Sequence, residues 1–251
     1  MLTKLLQGVF IGVTFTLPGL SAGTVILILG FYYELLDDLS RMNLKPYLPH
    51  MLGAASGALA GIYAISYLLV HYNAILTSFL LGMLLASVPV VIKHRQKGKL
   101  TIGPLILGGA GFIITWFIVG DPTTTFTVLP PGGYFHFFLG GSLASATMLL
   151  PGVSGSSVLI IMNLYDDVIH VFSNWEWQKL AFLTAGFAVG IFGLARLLSA
   201  LYRRYNSAIT FLLTGLIIGS ARALLPTQFT ISGTAATVTG FLLVLYFAWQ
   251  K

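Results

Sequence analysis

The sequence predicts an all-α polytopic membrane protein made of two inverted repeats, each a re-entrant helical hairpin followed by three transmembrane helices. Three observations predict it. Charged residues are only 8% of the chain, hydrophobic residues are 57%, and the mean hydropathy is +0.91; a soluble domain carries about a quarter charged residues. Residue i matches residue i+133 over most of the length without a gap. A helix-breaking phrase, Leu-Pro-Gly-x-Ser, stands at Leu17–Ser21 and again at Leu150–Ser154.

The internal match carries the domain organisation. Gly8 meets Gly141, Thr14 meets Thr147, Tyr32 meets Tyr165, Gly53 meets Gly186 and Gly57 meets Gly190. Tyr72-Asn73 falls on Tyr205-Asn206, Gly82 on Gly215 and Trp116 on Trp249. The first repeat is 1–120 and the second 134–251, joined by a Thr-, Pro- and Gly-rich linker at 121–133.

Each half opens with two short apolar segments split by the Pro-Gly break. Proline has no N–H to give a helix and crowds the preceding turn, so an arriving helix must stop there. Ser154 or Ser156 can cap the helix that restarts. The resulting hairpins are 5–36 and 138–171. Their arms, near 18–25 Å at 1.5 Å per residue, fall short of the ~30 Å hydrocarbon core. Lipid tails cannot hydrogen-bond the exposed N–H groups of such a break, so it must be buried in protein or line a wet cavity. Three spans follow in each half: 48–70, 74–92 and 103–119, then 179–202, 207–225 and 233–250. Gly53, Gly57 and Gly61 give the first span a small-residue face for close packing, as Gly186, Gly190 and Gly193 do in its counterpart.

Charge sets the topology. With each broken pair returning to its own side, Lys4, Arg41, Lys45, Lys93, Arg95, Lys97, Lys99, Arg203, Arg204 and Lys251 share one face, and only Lys179 and Arg222 lie toward the other. Basic residues favour the cytoplasmic side, so both termini are placed there. A hairpin plus three crossings inverts the second half. Inverted repeats with broken helices mark transporters, with the substrate site near the midplane. The net charge of +6 sits mostly in short loops and gives no reason to expect a nucleic-acid partner. Lys4 precedes an apolar stretch, but the break recurs later and no Ala-x-Ala site follows, so no cleavable signal is read. Cysteine is absent, so there is no disulfide or thiolate site. The histidines fall toward segment ends, and neither metal nor cofactor is called for.

The candidate site lies where the hairpin tips converge. Each offers a half-helix N-terminus with unpaired N–H groups and a cluster of hydroxyls: Ser21 and Thr24 with Gly23, and Ser154, Ser156 and Ser157 with Gly155. Such groups suit a phosphate or carboxylate; the alternative is that the serines only cap their own helices. Arg196 lies inside a span, with Tyr63 as its repeat partner, and Arg222 lies near the outer end of another. An intramembrane arginine is a candidate ligand for an anion, or it snorkels to the interface. Glu34 and Asp166, at the hairpin ends, are candidate coupling acids for a proton or cation, although acids at a helix C-terminus oppose its dipole. Lys93 to Lys99 is read as a topology determinant with some attraction for anionic membrane lipids.

Two enzyme patterns are rejected. Gly19-Leu20-Ser21-Ala22-Gly23 fits a nucleophile elbow, but no strand precedes it. Gly152-Val153-Ser154-Gly155 is similar to the motif of rhomboid proteases, whose chemistry needs a histidine base, and none lies at mid-span. A serine hydrolase is therefore the remote alternative, and no enzyme is expected.

At Pro18-Gly19-Leu20-Ser21-Ala22-Gly23-Thr24 with Gly30-Phe31-Tyr32, and at Leu150-Pro151-Gly152-Val153-Ser154-Gly155-Ser156 with Tyr165-Asp166, the chain resembles the PopT-type polyprenyl-phosphate transporters, a bacterial membrane family once catalogued as a domain of unknown function. It departs from them at Phe15, where many relatives carry an Asp, and at Glu34, displaced by Tyr33. The resemblance implies a flippase of the bacterial cytoplasmic membrane that returns undecaprenyl phosphate from the outer to the cytoplasmic leaflet. The hydroxyls would take phosphate oxygens, Arg196 and Arg222 would supply charge, and the prenyl tail would stay in lipid. The alternative is a transporter or channel for a small soluble anion. Oligomeric state and coupling ion stay open.

Overall fold

The computed structural model describes residues 1–17, 21–93, 102–120, 133–226 and 230–249. Pro18, Gly19 and Leu20 of the first motif, most of the basic stretch to Lys99, almost all of the linker 121–133 and Lys251 lie outside the described residues. Every element among the described residues is helical. In order they are α1 (Leu2–Thr14), α2 (Ala22–Ile28), α3 (Tyr32–Ser40), a 3-10 turn at Lys45–Tyr47, α4 (Leu48–Lys93) and α5 (Ile102–Gly120). Then come α6 (Tyr134–Leu149), α7 (Gly155–Ile161), α8 (Tyr165–Ser173), α9 (Trp177–Arg204), α10 (Asn206–Ser220) with a 3-10 turn at Ala221–Leu224, and α11 (Ile231–Trp249). Among the described residues, five stretches are long and apolar enough to cross a membrane: Lys45–Ile65, Tyr67–Lys93, Trp177–Arg204, Asn206–Leu224 and Ile231–Ala248.

Element boundaries recur at the sequence offset. Ala22 and Gly155 open α2 and α7, and Tyr32 and Tyr165 open α3 and α8. α4 bends at Tyr72, whose φ of −136° is not helical, and α9 stops at the matching Tyr205.

One expectation is corrected. The second arm of each broken pair, read as continuous to 36 and to 171, breaks again at Gly30 and Asn163. Both are left-handed, with φ of +81° and +53°; glycine and asparagine are the residues that adopt this region most readily. The extra break places Glu34 in the first turn of α3, and Asp166 and Asp167 in the first turn of α8. There an acid complements the helix dipole, so the expected C-terminal conflict does not arise.

α1 and the first arm of α4 run side by side in the same direction. Lys4 Nζ donates to Pro46 O at 3.3 Å, and Gln7 Oε1 and His50 Nε2 pair at 3.2 Å. Further along, a Cβ on Gly53 would stand 2.1 Å from Leu5 O, and one on Gly57 2.2 Å from Val9 O. Only glycine permits that approach. The chain from α1 to α4 must therefore travel out and come back to the end where it began. α6 and α9 repeat the arrangement, with Gly186 against Phe138 O and Gly190 against Ser142 O, each at 2.0 Å.

The last helices change partners. α5 packs on α10, where a Cβ on Gly215 would meet Gly108 O at 1.9 Å. α11 packs on the second arm of α4, where Gly82 stands against Thr237 O and the Thr237 hydroxyl donates to Ser78 O at 3.0 Å. Between them the main core gathers Leu80, Leu84 and Val91 of α4 with Leu213 and Ile217 of α10. The two tips are held against this core.

Candidate functional site

The tips meet through the first half's hydroxyls. Ser21 caps α2, its Oγ accepting Thr24 N–H at 3.2 Å. Gly152 N–H, from the second tip, donates to Ser21 Oγ at 2.9 Å and to Thr24 Oγ1 at 3.1 Å. Gly152 adopts φ +85°, with Leu216 O and Ser220 Oγ so close that no Cβ would fit. Tyr32, buried in α3, donates its hydroxyl to Leu149 O at 2.7 Å. That carbonyl ends α6, where no following turn can satisfy it.

The second tip is arranged differently. Ser154 is the N-cap of α7, but its side chain caps nothing. Ser154 Oγ instead pairs with Ser156 Oγ at 2.7 Å. Two hydroxyls sharing one hydrogen bond keep one O–H for a ligand, and the first-turn N–H groups of α7 have no side-chain cap.

Beside these groups lies a cavity of about 520 Å³. Ser21, Ser154, Ser156, Ser157 and Ser220, with Thr14 and Thr16 at the end of α1, form its polar part. Phe15, Leu17, Leu69 and Met148 form an apolar wall. Leu69 lies late in the first arm of α4, and Ser220 lies at the end of α10. The cavity thus occupies the end of the molecule opposite Leu48 and Arg204.

Of the sequence-predicted site residues, Ser21, Ser154, Gly155, Ser156 and Ser157 line this cavity together. Gly23 and Thr24 are buried beneath it, Gly23 against the Met148 and Leu149 carbonyls. Neither arginine is brought to it. Arg196 Nε donates to Ser40 O at 3.0 Å, at the C-terminus of α3. It sits beside Arg203, which pairs with Asp37. Arg222 donates to Trp116 O at 2.9 Å and lies over the Trp116 ring. Each arginine supplies hydrogens to a carbonyl near a helix C-terminus, where a cation is favoured. Glu34 and Asp166 are exposed and stand apart from the cavity.

Residues 3–74 and 48–241 match the family model described as VCA0040-like, undecaprenyl phosphate translocase-like. The chain belongs to that family. It is similar to the polyprenyl-phosphate transporter of Vibrio cholerae serotype O1, 28% identical over 92% of this chain and 80% of that protein. It is also similar to the polyprenyl-phosphate transporter of Staphylococcus aureus, 28% identical over 89% of this chain and 86% of that protein. No solved structure matches the chain.

For this family member, three hydroxyl residues of the cavity lining escaped the sequence reading of the site: Thr14, Thr16 and Ser220. Each hydroxyl donates to a carbonyl three residues back, Ile11 O, Val13 O and Ile217 O. Each therefore keeps lone pairs toward the cavity. Thr14 and Thr16 stand just before the Pro-Gly break, and Thr14 also matches Thr147 across the repeat. Ser220 gave no such signal, since it joins the site only through the packing of Gly152 on α10.

Proposed function

We propose that this protein is a flippase for undecaprenyl phosphate or a related polyprenyl phosphate, moving it from the outer to the cytoplasmic leaflet of a bacterial cytoplasmic membrane. The observation that carries the reading is the two-sided character of the cavity. Hydroxyls and backbone N–H groups of the second tip offer hydrogen bonds to a phosphate, while Phe15, Leu17 and Leu69 continue the cavity into apolar surface. A headgroup on an isoprenoid tail needs both; a soluble anion needs only the first. The names of the two relatives support the same substrate class.

The chemistry is transport, with no bond made or broken. A bare phosphate cannot cross a lipid core, because its hydration is lost with nothing in return. The protein has only to replace that hydration around the headgroup, leaving the tail in lipid. Ser154, Ser156 and Ser157 replace it directly. Ser21 and Thr24 act one step back by holding Gly152 and hence the second tip in place.

In this reading α1–α3 and α6–α8 are re-entrant hairpins of two inverted repeats, 1–120 and 134–251. Lys4, Arg41, Lys45, Arg203 and Arg204 mark the cytoplasmic end, following the distribution of basic residues. Trp175 and Trp177 are exposed beside the Glu176–Lys179 ion pair, as at an opposite interface. The cavity then opens outward, ready to take the carrier from the outer leaflet.

The test is native mass spectrometry of purified protein offered undecaprenyl phosphate, its pyrophosphate, the uncharged alcohol and an anionic phospholipid. Selective retention of the monophosphate, lost in the Ser154→Ala/Ser156→Ala double variant but kept in Arg196→Ala, is expected. Equal retention of all four would overturn the lipid-carrier reading and direct attention to soluble anions.

A further inference from the structure

The two hairpins are related by sequence yet differently docked. Tyr32, Leu36 and Leu39 of α3 are 2%, 2% and 5% exposed. Their counterparts 133 residues on, Tyr165, Ile169 and Phe172 of α8, are 40%, 50% and 53% exposed. α3 covers α9. Tyr33 stacks on Tyr202 at 3.9 Å, and Ser199 donates to Asp37 at 3.1 Å. Arg203 also pairs with Asp37, and Arg196 donates to Ser40 O. The surface matching α9 is the first arm of α4, and it is bare. Ile62 is exposed where its counterpart Ala195 is buried. Leu69, the counterpart of Tyr202, faces the open cavity.

We propose that the exposed apolar face of α8 is the docking partner of the first arm of α4, and that α8–α4 and α3–α9 are two gates that close alternately. The occupant of the bare α8 face is thus a segment of this same chain. In the state described here α3–α9 is shut at the end bearing Arg203 and Arg204. The path is open beside Leu69. Docking of Tyr165, Ile169 and Phe172 on α4 buries that face and covers Leu69. Release of α3 from α9 then opens the opposite end. Packing one apolar face while releasing its equivalent keeps the packing terms close, which leaves a two-state element within reach of a ligand.

The gates differ in the Tyr33–Tyr202 stack, whose counterparts are Asp166 and Leu69, and in their charges. His170 and Val70 stand at the positions of Asp37 and Arg203, and Tyr63 at that of Arg196. The ionic latch therefore belongs to the α3–α9 gate alone and favours the state described here. An exposed pair of this kind shifts a population by up to about fivefold.

The inference rests on the transporter reading for its purpose, but its test uses no substrate. The chain has no cysteine, so pairs can be introduced cleanly. Asp37→Cys/Arg203→Cys probes the closed gate, and His170→Cys/Val70→Cys the other. Ser173→Cys/Tyr63→Cys repeats the second probe at the positions matching Ser40 and Arg196. All are cross-linked in protein that elutes as one monodisperse species. Both gates are expected to cross-link, never both in one molecule of the four-cysteine variant. Asp37→Asn is expected to raise the His170/Val70 yield several-fold. Failure of both α8–α4 pairs while Asp37/Arg203 cross-links, or simultaneous cross-linking of both gates, would overturn the inference. Exclusive cross-links without selective monophosphate retention would sink the substrate reading and leave the gates standing.

Discussion

The first broken helix run, α1–α3, grips the second, α6–α8, at its break. α1–α3 spends Ser21, Thr24 and Tyr32 on the backbone of the second tip, at Gly152 and Leu149. The matching residues of α6–α8, Ser154, Ser157 and Tyr165, hold nothing equivalent: Ser154 pairs with Ser156, and Tyr165 is exposed. Nearly the same phrase therefore builds a clamp at one break and, at the other, a set of hydroxyls left facing the cavity. Matched sequence positions thus need not make matched bonds: which set is consumed by the fold depends on what packs against it.

The largest effects should erase the comparison by damaging what the halves share. Gly53→Leu and Gly186→Leu each force a side chain where a Cβ already lies 2.1 and 2.0 Å from a carbonyl oxygen. Overpacking of this kind costs typically about 1–3 kcal/mol in a deformable core, and more where only backbone can yield. Both variants should fail to give monodisperse protein on size-exclusion chromatography, and to a similar degree. Tolerance of either would mean that the helix crossing is looser than described.

Matched hydroxyl deletions should then separate the halves. Thr24→Val keeps the side chain's shape but removes an acceptor of a buried N–H, which costs about 1–3 kcal/mol. The Ser21 bond to Gly152 survives, so the lower end is expected. Ser157→Ala should leave the thermal midpoint unchanged and weaken retention of the monophosphate. Swapped phenotypes would show that the first tip is the ligand face. Tyr32→Phe and Tyr165→Phe make a second matched pair. The first leaves Leu149 O unsatisfied and loses about 1–3 kcal/mol; the second, at an exposed ring, stays within about 0.5 kcal/mol. Thermal melts in detergent read both.

Much of this was legible in the sequence because its signals are local and physical. The break at Pro151-Gly152 and the glycine spacing in α4 and α9 each dictate backbone geometry. Gly30 was harder, since a single glycine in an apolar run is often tolerated within a helix. The arginines were not legible. Arg196 and Arg222 carry the same charge whether they face a ligand or a carbonyl, and only the packing of α3 on α9 and of α5 on α10 distinguishes these. The asymmetry of the tips was also hidden, because aligned serines read alike until one set is seen bonded to Gly152.

The smallest expected effect falls on the ionic latch between α3 and α9, which has no counterpart between α8 and α4. Asp37 is pulled upward by partial desolvation. The hydrogen bonds from Arg203 and Ser199 outweigh this, together with the charges of Arg203 and Arg41, and hold its carboxyl below the usual carboxylate range. A depressed folded-state value means that the stabilisation is complete above the unfolded value, ~3.9, and is lost as pH falls through the folded one. Seam strength should therefore be flat between pH 7 and pH 5 and should weaken only in the acid range. Cross-linking of Ser40→Cys with Arg196→Cys, followed against pH, reads this directly. Because the pair is largely solvated, raising salt to 1 M at neutral pH should mimic part of the acid effect through screening, and Asp37→Asn should remove both dependences. A seam that loosened between pH 7 and pH 6 would instead assign the titration to a histidine, and the Asp37–Arg203 pair would no longer be the latch that distinguishes the two hairpins.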